Sequence, residues 1–459
     1  MGFVVDNIQK FQDFRAKYPV FTYDSYSWSY DGSTLSLFFN YSFSEKDVIK
    51  SSIEINLPEK IGEEKIRENE DYIFRIGLLN ALSYWKAYCP PSVVVKCGKI
   101  KKKEISWWQD LWYEGMGEFR YLNGLLDIPK ESWTQFYFVG DFYEREHDFS
   151  KLAGNLIAFT GGKDSSLALG LLKDEIAESE TFSINPPENI EKIRKFFGFS
   201  YRPSIIISRK MGYFILSANE NGALNGHTPF SAIVAMIGVF VANLRNKKYI
   251  IVSNEGSANE ETVVGTGINH QYSKSLIFEK KFREYCNMIW PNGPEYFSLI
   301  RPFSEVNIFE MLKPYQEILP EISSCNKKDK DGAWCGKCGK CLFAFLMFSA
   351  VWNLDFAKKI TGKDMFVDME NLFLLKELTG ILPSKPFECV GTKEESLSAI
   401  SVIVQKDEKY KEEPVLVEFL KENENILPET ENFEKITKIN HENFVPEKFL
   451  KMILENKNG

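Results

Sequence analysis

The run "LIAFTGGKDSSLALGLL", residues 156–172, joins an apolar stretch to a small polar turn and then to a second apolar stretch with helical spacing. The turn, Thr160-Gly161-Gly162-Lys163-Asp164-Ser165, has the parts of an anion site. Gly161 and Gly162 can take backbone angles closed to other residues, and without side chains they let oxygens approach the backbone N–H groups. A helix beginning near Asp164 adds unpaired N–H groups and the positive end of a dipole. Lys163 supplies a mobile positive charge in a turn that reads as solvent-facing, and Thr160 and Ser165 supply hydroxyls. Asp164 would repel a phosphate, so it reads as a ligand for Mg²⁺ or as a helix-capping group that faces away. The pattern is not the Walker loop, which spaces its glycines more widely and follows Lys with Ser or Thr, and it does not fit a dinucleotide fingerprint.

A second constellation is built from sulfur. Cys325, Cys335, Cys338 and Cys341 are separated by nine, two and two residues. Two-residue spacers let successive thiolates converge on one ion, and four sulfurs at tetrahedral corners suit Zn²⁺. With every ligand position filled by cysteine, such a zinc holds the fold and does no chemistry. Three other readings stay open: a redox pair at Cys335 and Cys338, an iron–sulfur cluster, and buried thiols without metal.

Polar residues also gather where strands should end. "YIIVSNEGSANE" runs from a β-branched stretch into Asn254, Glu255, Ser257 and Asn259, and "GINHQYSKS" carries His270, Tyr272 and Lys274. "NGHTPFSA" places His227 before a helix that Thr228 should cap, and "KPFECVGTKEE" brings Cys389, Thr392, Glu394 and Glu395. Each has a plainer reading: His227 fixes a helix start, His270 is a satisfied surface residue, and Cys389 behind a phenylalanine belongs to the core. The chain has only four histidines, and two of them lie in these loops.

The elements that must hold these residues follow from periodicity. "STLSLFFNYSF" and "SSIEINLP" alternate as strands, and residues 63–88 and 105–123 read as helices around the strand "SVVVKCG". This predicts an α+β domain over residues 1–150. Beyond it, "NLIAF", "SIIIS" (204–208), "YFILSA" (213–218) and "YIIVSN" (249–254) read as strands, with a helix over Phe230–Asn243. Strands alternating with helices predict an α/β domain over 151–350, with a mostly parallel sheet covered on both faces. Ligands in such sheets sit beyond the carboxyl ends of the strands, which puts the Asn254–Asn259 loop beside the glycine turn. Residues 351–459 read as mainly helical, and the charged run "KYKEEPVLVEFLKENENILPETENFEKI" reads as a solvated appendage.

The composition bounds the function. Hydrophobic residues make up 44% and charged residues 26% of 459, the balance of a soluble globular protein. A net charge of −8 argues against a nucleic-acid partner. The N-terminus lacks the features of a signal peptide, and no apolar run is long enough to span a membrane. Clustered cysteines without a regular framework fit a reducing, cytoplasmic setting.

The glycine turn resembles the Ser-Gly-Gly-x-Asp-Ser pyrophosphate loop of the adenine nucleotide alpha-hydrolase-like ATP pyrophosphatases, with Thr160 in place of the first serine. The cysteine tail after that domain is similar in layout to 7-cyano-7-deazaguanine synthases, although this chain is much longer. Taken together, "SWWQDLWYEGMGEFRYLN", "AFTGGKDSSLAL", "VSNEGSANE", "INHQYSKSLIFE", "YFSLIRPFSE", "SSCN…WCGKCGKCLF" and "KPFECVGT", from about residue 105 to about 400, resemble the UDP-N-acetyl-alpha-D-muramoyl-L-alanyl-L-glutamate epimerases of bacterial cell-wall synthesis. The first hundred residues match less distinctly. The resemblance implies a HUP-like pyrophosphate-loop fold and ATP-driven inversion of the terminal L-Glu of UDP-MurNAc-L-Ala-L-Glu through an acyl-adenylate, with release of AMP and pyrophosphate. It implies that Thr160, Gly161, Gly162, Lys163 and Ser165 hold pyrophosphate and that Asp164 orients Mg²⁺. It implies that Asn254, Glu255, Ser257 and Asn259 line the site, and that Tyr272, Lys274 and Arg301 grip anionic groups of the substrate. His227, His270 and Cys389 are the candidate bases. Two other classes remain: another adenylating enzyme on the same loop, which amidates or thiolates tRNA or a small molecule, and a non-catalytic nucleotide-binding protein.

Overall fold

Leu156 and Ala158 face one apolar core while Ile157 and Phe159 face another, so a single short strand alternates between two buried faces. That demand places it in the middle of a sheet covered on both sides. The computed structural model describes residues 5–44, 47–141, 145–325, 327, 334–428 and 436–458. Among these residues there are ten strands: β1 (Val20–Tyr30), β2 (Thr34–Ser42), β3 (Val48–Asn56), β4 (Ser92–Val95), β5 (Gln135–Phe138), β6 (Asn155–Ala158), β7 (Ser179–Ile184), β8 (Ser204–Lys210), β9 (Tyr249–Val252) and β10 (Glu295–Ser298). They form one sheet in the order β10-β9-β6-β7-β8-β3-β2-β1-β4-β5. Pairing is parallel from β10 through β8 and again from β1 through β5, and antiparallel between β8, β3, β2 and β1. The sheet therefore runs across residue 150 without a break, joined where β3 pairs with β8 from Ser52↔Lys210 to Asn56↔Ile206.

The second half contributes strands in the spatial order β8-β7-β6-β9-β10, so the chain starts in the middle, builds one way, then returns and builds the other. The reversal lies between β6 and β9, and loops leaving adjacent strands on opposite sides of a reversal open a crevice at their carboxyl ends. One face of this half is covered by Phe230–Leu244 and Leu276–Ile289, and the other by Lys163–Leu171 and the C-terminal helices.

Two readings of the sequence are corrected here. Residues 213–218 are not a strand but lie in the helix Tyr213–Glu220. An apolar run of that length has no period that separates strand from helix. Both edges of β8 are already taken by β7 and β3, so the chain that follows has no adjacent place in the sheet. The charged C-terminal run is not a solvated appendage throughout. Helix Pro414–Asn423 buries Val415, Leu416 and Phe419 completely, and Phe449 and Ile453 beyond it are also buried. Residues 429–435 of that run lie outside the described residues, as do 326 and 328–333 between the first two clustered cysteines. Among the described residues, no helix is long and apolar enough to cross a membrane.

Candidate active site

The glycine turn leaves β6 at the sheet's reversal and leads directly into helix Lys163–Leu171. Gly161 has φ +77°, a left-handed angle that side chains resist, and the nearest atom to a Cβ built on Gly162 is the Thr160 hydroxyl at 3.7 Å. The turn thus presents open backbone at a helix N-terminus. Ser165 is buried and frames the turn: its Oγ accepts from the Thr160 N–H at 3.2 Å and donates to the Gly162 carbonyl at 3.2 Å. Asp164 makes no capping bond; the N-cap is Gly162.

Lys163 is neither mobile nor solvent-facing. Its Nζ lies 2.5 Å from Asp164 Oδ1 and 2.7 Å from Glu305 Oε2, and the side chain is only 12% exposed. A buried ammonium needs such partners, and the two carboxylates arrive from the same turn and from a helix far along the chain. Burial alone would lower the lysine, but Asp164, Glu305 and Glu255 outweigh it and hold the ammonium well above its usual range. Burial lifts the Glu305 carboxyl, with Lys163 opposing and Asp164 and Glu255 adding to the rise. Glu305 was not singled out in the sequence, where its signature is no more than a helix start. Ser304 caps that helix through the Asn307 N–H.

Glu255 lies at the end of β9, beside the turn. Its carboxylate is 1% exposed, and its Oε2 has no hydrogen-bond partner; the same is true of Ser257 Oγ, at 4% exposure. Buried polar atoms are normally satisfied, so two unpaired polar atoms in one loop are a sign of a ligand site. Burial opposes ionisation of Glu255, but Lys274 and Lys163 overcome it and keep the group below its usual value. Asp164, Glu255 and Glu305 thus form one electrostatically linked carboxylate cluster around Lys163. Asn254 is buried and tied through its backbone to Ser298 Oγ, while Asn259 is exposed and accepts from the Leu276 N–H.

Lys274 links this cluster to the downstream thiol. Its Nζ donates to Cys389 Sγ at 3.3 Å. His270 interacts electrostatically with Cys389, and its Nδ1 pairs with Glu118 Oε2. The His227 ring lies 4.6 Å from the His270 ring, centroid to centroid. The structure therefore joins all three candidate bases, and adds Glu118, which the sequence quoted but did not single out. Burial would raise the Cys389 thiol, yet Lys274 and nearby His270 bring it down to about 6. Burial would lower His270, yet Cys389 and Glu118 lift it to about 9. His227 falls to about 3 through burial and the positive charge of its neighbours. Cys389 is partly exposed, not a core residue.

Two further expectations change, and Tyr272 is placed. Thr228 does not cap the following helix, whose N-cap is Pro229. Tyr272 packs its ring against Phe278, with centroids 6.0 Å apart, at the edge of the aromatic core. Arg301 does not reach toward a substrate. It is fully buried, bonded to Glu279 and to the Glu255 and Lys274 carbonyls, and so fixes the two loops that carry those residues.

The four clustered cysteines converge. Their sulfurs all lie within 4.8 Å of one another, with Cys338–Cys341 at 3.4 Å and Cys335–Cys341 at 3.6 Å. Sulfurs about 2.3 Å from one tetrahedral zinc would sit about 3.8 Å apart, so the donor set fits. The site also bears on the thiol loop: Glu388 Oε2 accepts from the Lys340 N–H at 2.7 Å, at the start of helix Gly339–Val351, which carries Cys341.

Comparison with known proteins agrees with this layout. The model of the MurL N-terminal domain matches residues 12–299, and that of the MurL C-terminal domain matches residues 321–434. The match thus begins well before the part where the quoted motifs resemble the family. Relatives named UDP-N-acetyl-alpha-D-muramoyl-L-alanyl-L-glutamate epimerase share 29% identity in Xanthomonas oryzae pv. oryzae, over 76% of this chain and 77% of that one. The protein of that name from Micromonospora sp. is 30% identical over 74% and 76%, and that from Salinispora tropica 29% over 83% and 84%. The glycine turn, the Glu255 loop, the His270–Cys389 pair and the cysteine cluster all fall within the matched regions, and the chain belongs to the MurL family.

Proposed function

We propose that this protein inverts the terminal L-Glu of UDP-MurNAc-L-Ala-L-Glu to D-Glu, driven by ATP through an acyl-adenylate, with release of AMP and pyrophosphate. The observation that carries it is the neighbourhood of both halves of the chemistry: an open glycine turn at the sheet reversal, and a thiol, Cys389, bonded to Lys274, whose charge is felt by Glu255 and Asp164 of the turn's surroundings. The relatives named as epimerases supply the substrate.

The α-hydrogen of a carboxylate is very weakly acidic. Adenylation removes the carboxylate's negative charge and makes the acyl carbon electrophilic, so an ordinary side chain can then take the α-proton. The turn over Thr160–Ser165 would hold the departing pyrophosphate, in a HUP-like pyrophosphate-loop domain whose strand order supports that assignment. Lys163 would move its charge from Glu305 to the phosphates, and the rise in Glu305 lets that carboxyl take a proton instead of being left as an unpaired anion. Asp164 and Glu255 would hold Mg²⁺, which screens the phosphate charge. Cys325, Cys335, Cys338 and Cys341 would hold a structural Zn²⁺. Free thiols and an ATP requirement support a cytoplasmic enzyme.

Incubation with ATP, Mg²⁺ and UDP-MurNAc-L-Ala-L-Glu should give AMP and pyrophosphate, and glutamate recovered after acid hydrolysis should be the D form. Turnover of ATP without inversion, or no substrate-dependent AMP, would overturn the reading.

A further inference from the structure

The groups suited to moving the α-proton do not surround the phosphate turn. They surround Cys389. Lys274 donates to its sulfur at 3.3 Å, His270 interacts with it electrostatically, Glu118 pairs with His270 Nδ1, and the His227 ring lies tilted at 4.6 Å from that of His270. These are the parts of an activated nucleophile: a thiol, a cation within hydrogen-bond reach, and a neighbouring base oriented by a carboxylate. Residue 389 is partly exposed, unlike buried Cys89 and Cys286. It also adjoins the adenylation cluster, because Lys274 faces Glu255 and Asp164 as well as Cys389.

We propose that Cys389 takes the acyl group from AMP, so that the glutamyl residue is inverted as a thioester on this chain and not as the adenylate. The inference rests on the adenylate-forming reading above. The Cys389 thiolate attacks the acyl carbon; a C–S bond forms, the C–O bond to the phosphate breaks, and AMP leaves with that electron pair. No oxidant or reductant is involved. Transfer ties the α-carbon beside His270 and Glu118. It also removes the thiolate charge that helped keep His270 protonated, so the imidazolium can pass its proton to solvent water and act as a base. The α-C–H bond breaks, its proton goes to His270 and its electron pair forms an enolate, which a thioester supports because sulfur conjugates weakly with the carbonyl. Water on the opposite face protonates the α-carbon, and the hydroxide left takes the proton held by His270. Water then attacks the carbonyl, a C–O bond forms, the C–S bond breaks, and sulfur leaves as the thiolate with D-Glu released. The low affinity of the Cys389 thiolate for protons suits it to leave in this last step.

The test uses the full chain with ATP, Mg²⁺ and an equimolar amount of UDP-MurNAc-L-Ala-L-Glu, quenched in acid through the first turnover. The peptide containing Cys389 should gain the mass of the substrate less one water, only when ATP is present, and should lose it to neutral hydroxylamine. His270→Gln keeps the thiol and Lys274, so it should accumulate the adduct and return L-Glu. Cys389→Ala should lose inversion by roughly a hundredfold or more while substrate-dependent exchange of pyrophosphate into ATP persists. AMP and D-Glu formed by the wild type, with Cys389 unmodified there and in His270→Gln, overturn the thioester and leave the epimerase reading intact. Inversion by Cys389→Ala at the wild-type rate does the same. Absence of substrate-dependent exchange in the wild type overturns the adenylate reading itself.

Discussion

The pair Cys389 and His270 is ionised in opposite senses, and its pH behaviour follows from that. The thiol deprotonates through about 6 and the imidazolium through about 9, so kcat/KM for inversion should rise across the first and, with His270 acting as a base, should not fall across the second. A fall centred near 9 would show that the imidazolium is required and would remove His270 as the base. Glu118→Gln takes away one of the groups that lift His270, so NMR titration should find its ring losing the proton at lower pH, and Glu118→Asp should restore part of the shift. The same residue carries a stability prediction. The value of about 9 for folded His270 lies above the unfolded value of about 6.5, so its pairing stabilises fully below about pH 6.5. That contribution is lost as pH rises through about 9. Glu118→Gln should therefore lower the melting temperature more at about pH 6 than at about pH 10. His227 works the other way: the folded protein favours its neutral form, a contribution present above about pH 6.5 and lost as pH falls toward about 3.

Elements meet the chemistry through buried charge. Helix Lys163–Leu171 and helix Glu305–Met311 are joined by the Lys163–Glu305 pair, and the Glu305 N–H is held at 2.6 Å by Glu395, which closes a capping box with Thr392 on a third helix. Lys163→Ala should abolish substrate-dependent pyrophosphate exchange and also cost about 3 kcal/mol in chemical denaturation, because it leaves buried carboxylates facing one another. Adding Glu305→Gln should recover most of that stability and none of the exchange. A single variant that exchanges normally would exclude this turn as the ATP site. Arg301→Ala should be destabilising by a similar amount, since Glu279 would be left buried without its partner.

At the scale of the whole molecule, the cysteine cluster and the sheet do different work. One Zn²⁺ per chain is expected, and Cys338→Ser should lower metal content and melting temperature together, since binding energy at a structural zinc is folding energy. Because Glu388 ties the thiol loop to the helix that begins at the cluster, the same variant should lose inversion before it loses pyrophosphate exchange. Elemental analysis that finds iron, or no metal in a stable protein, would overturn the assignment. The sheet joins the N-terminal strands to the half that carries the glycine turn through β3 and β8, so heat should unfold both halves in one transition by calorimetry.

Local chemistry was readable wherever it depended on neighbours in sequence. The glycine turn announced itself because a strand, two glycines and a helix start must be contiguous to make it, and the cysteine cluster because two-residue spacers already bring thiolates together. The strands β6, β8 and β9 were legible from their β-branched runs. What the tertiary structure decided were the pairings between distant segments. Glu305 reaches Lys163 from 142 positions away and Glu118 reaches His270 from 152, and neither separation leaves a periodic trace. Arg301 reads in sequence as a free cation, and only burial against Glu279 makes it a brace. The run Tyr213–Ala218 became helix because both edges of β8 were occupied, which no local propensity records. Sequence fixes what each short segment is able to do; which charges are buried together, and so which groups are ionised, is set by packing, because a charge taken out of water must find its partner wherever the fold supplies one.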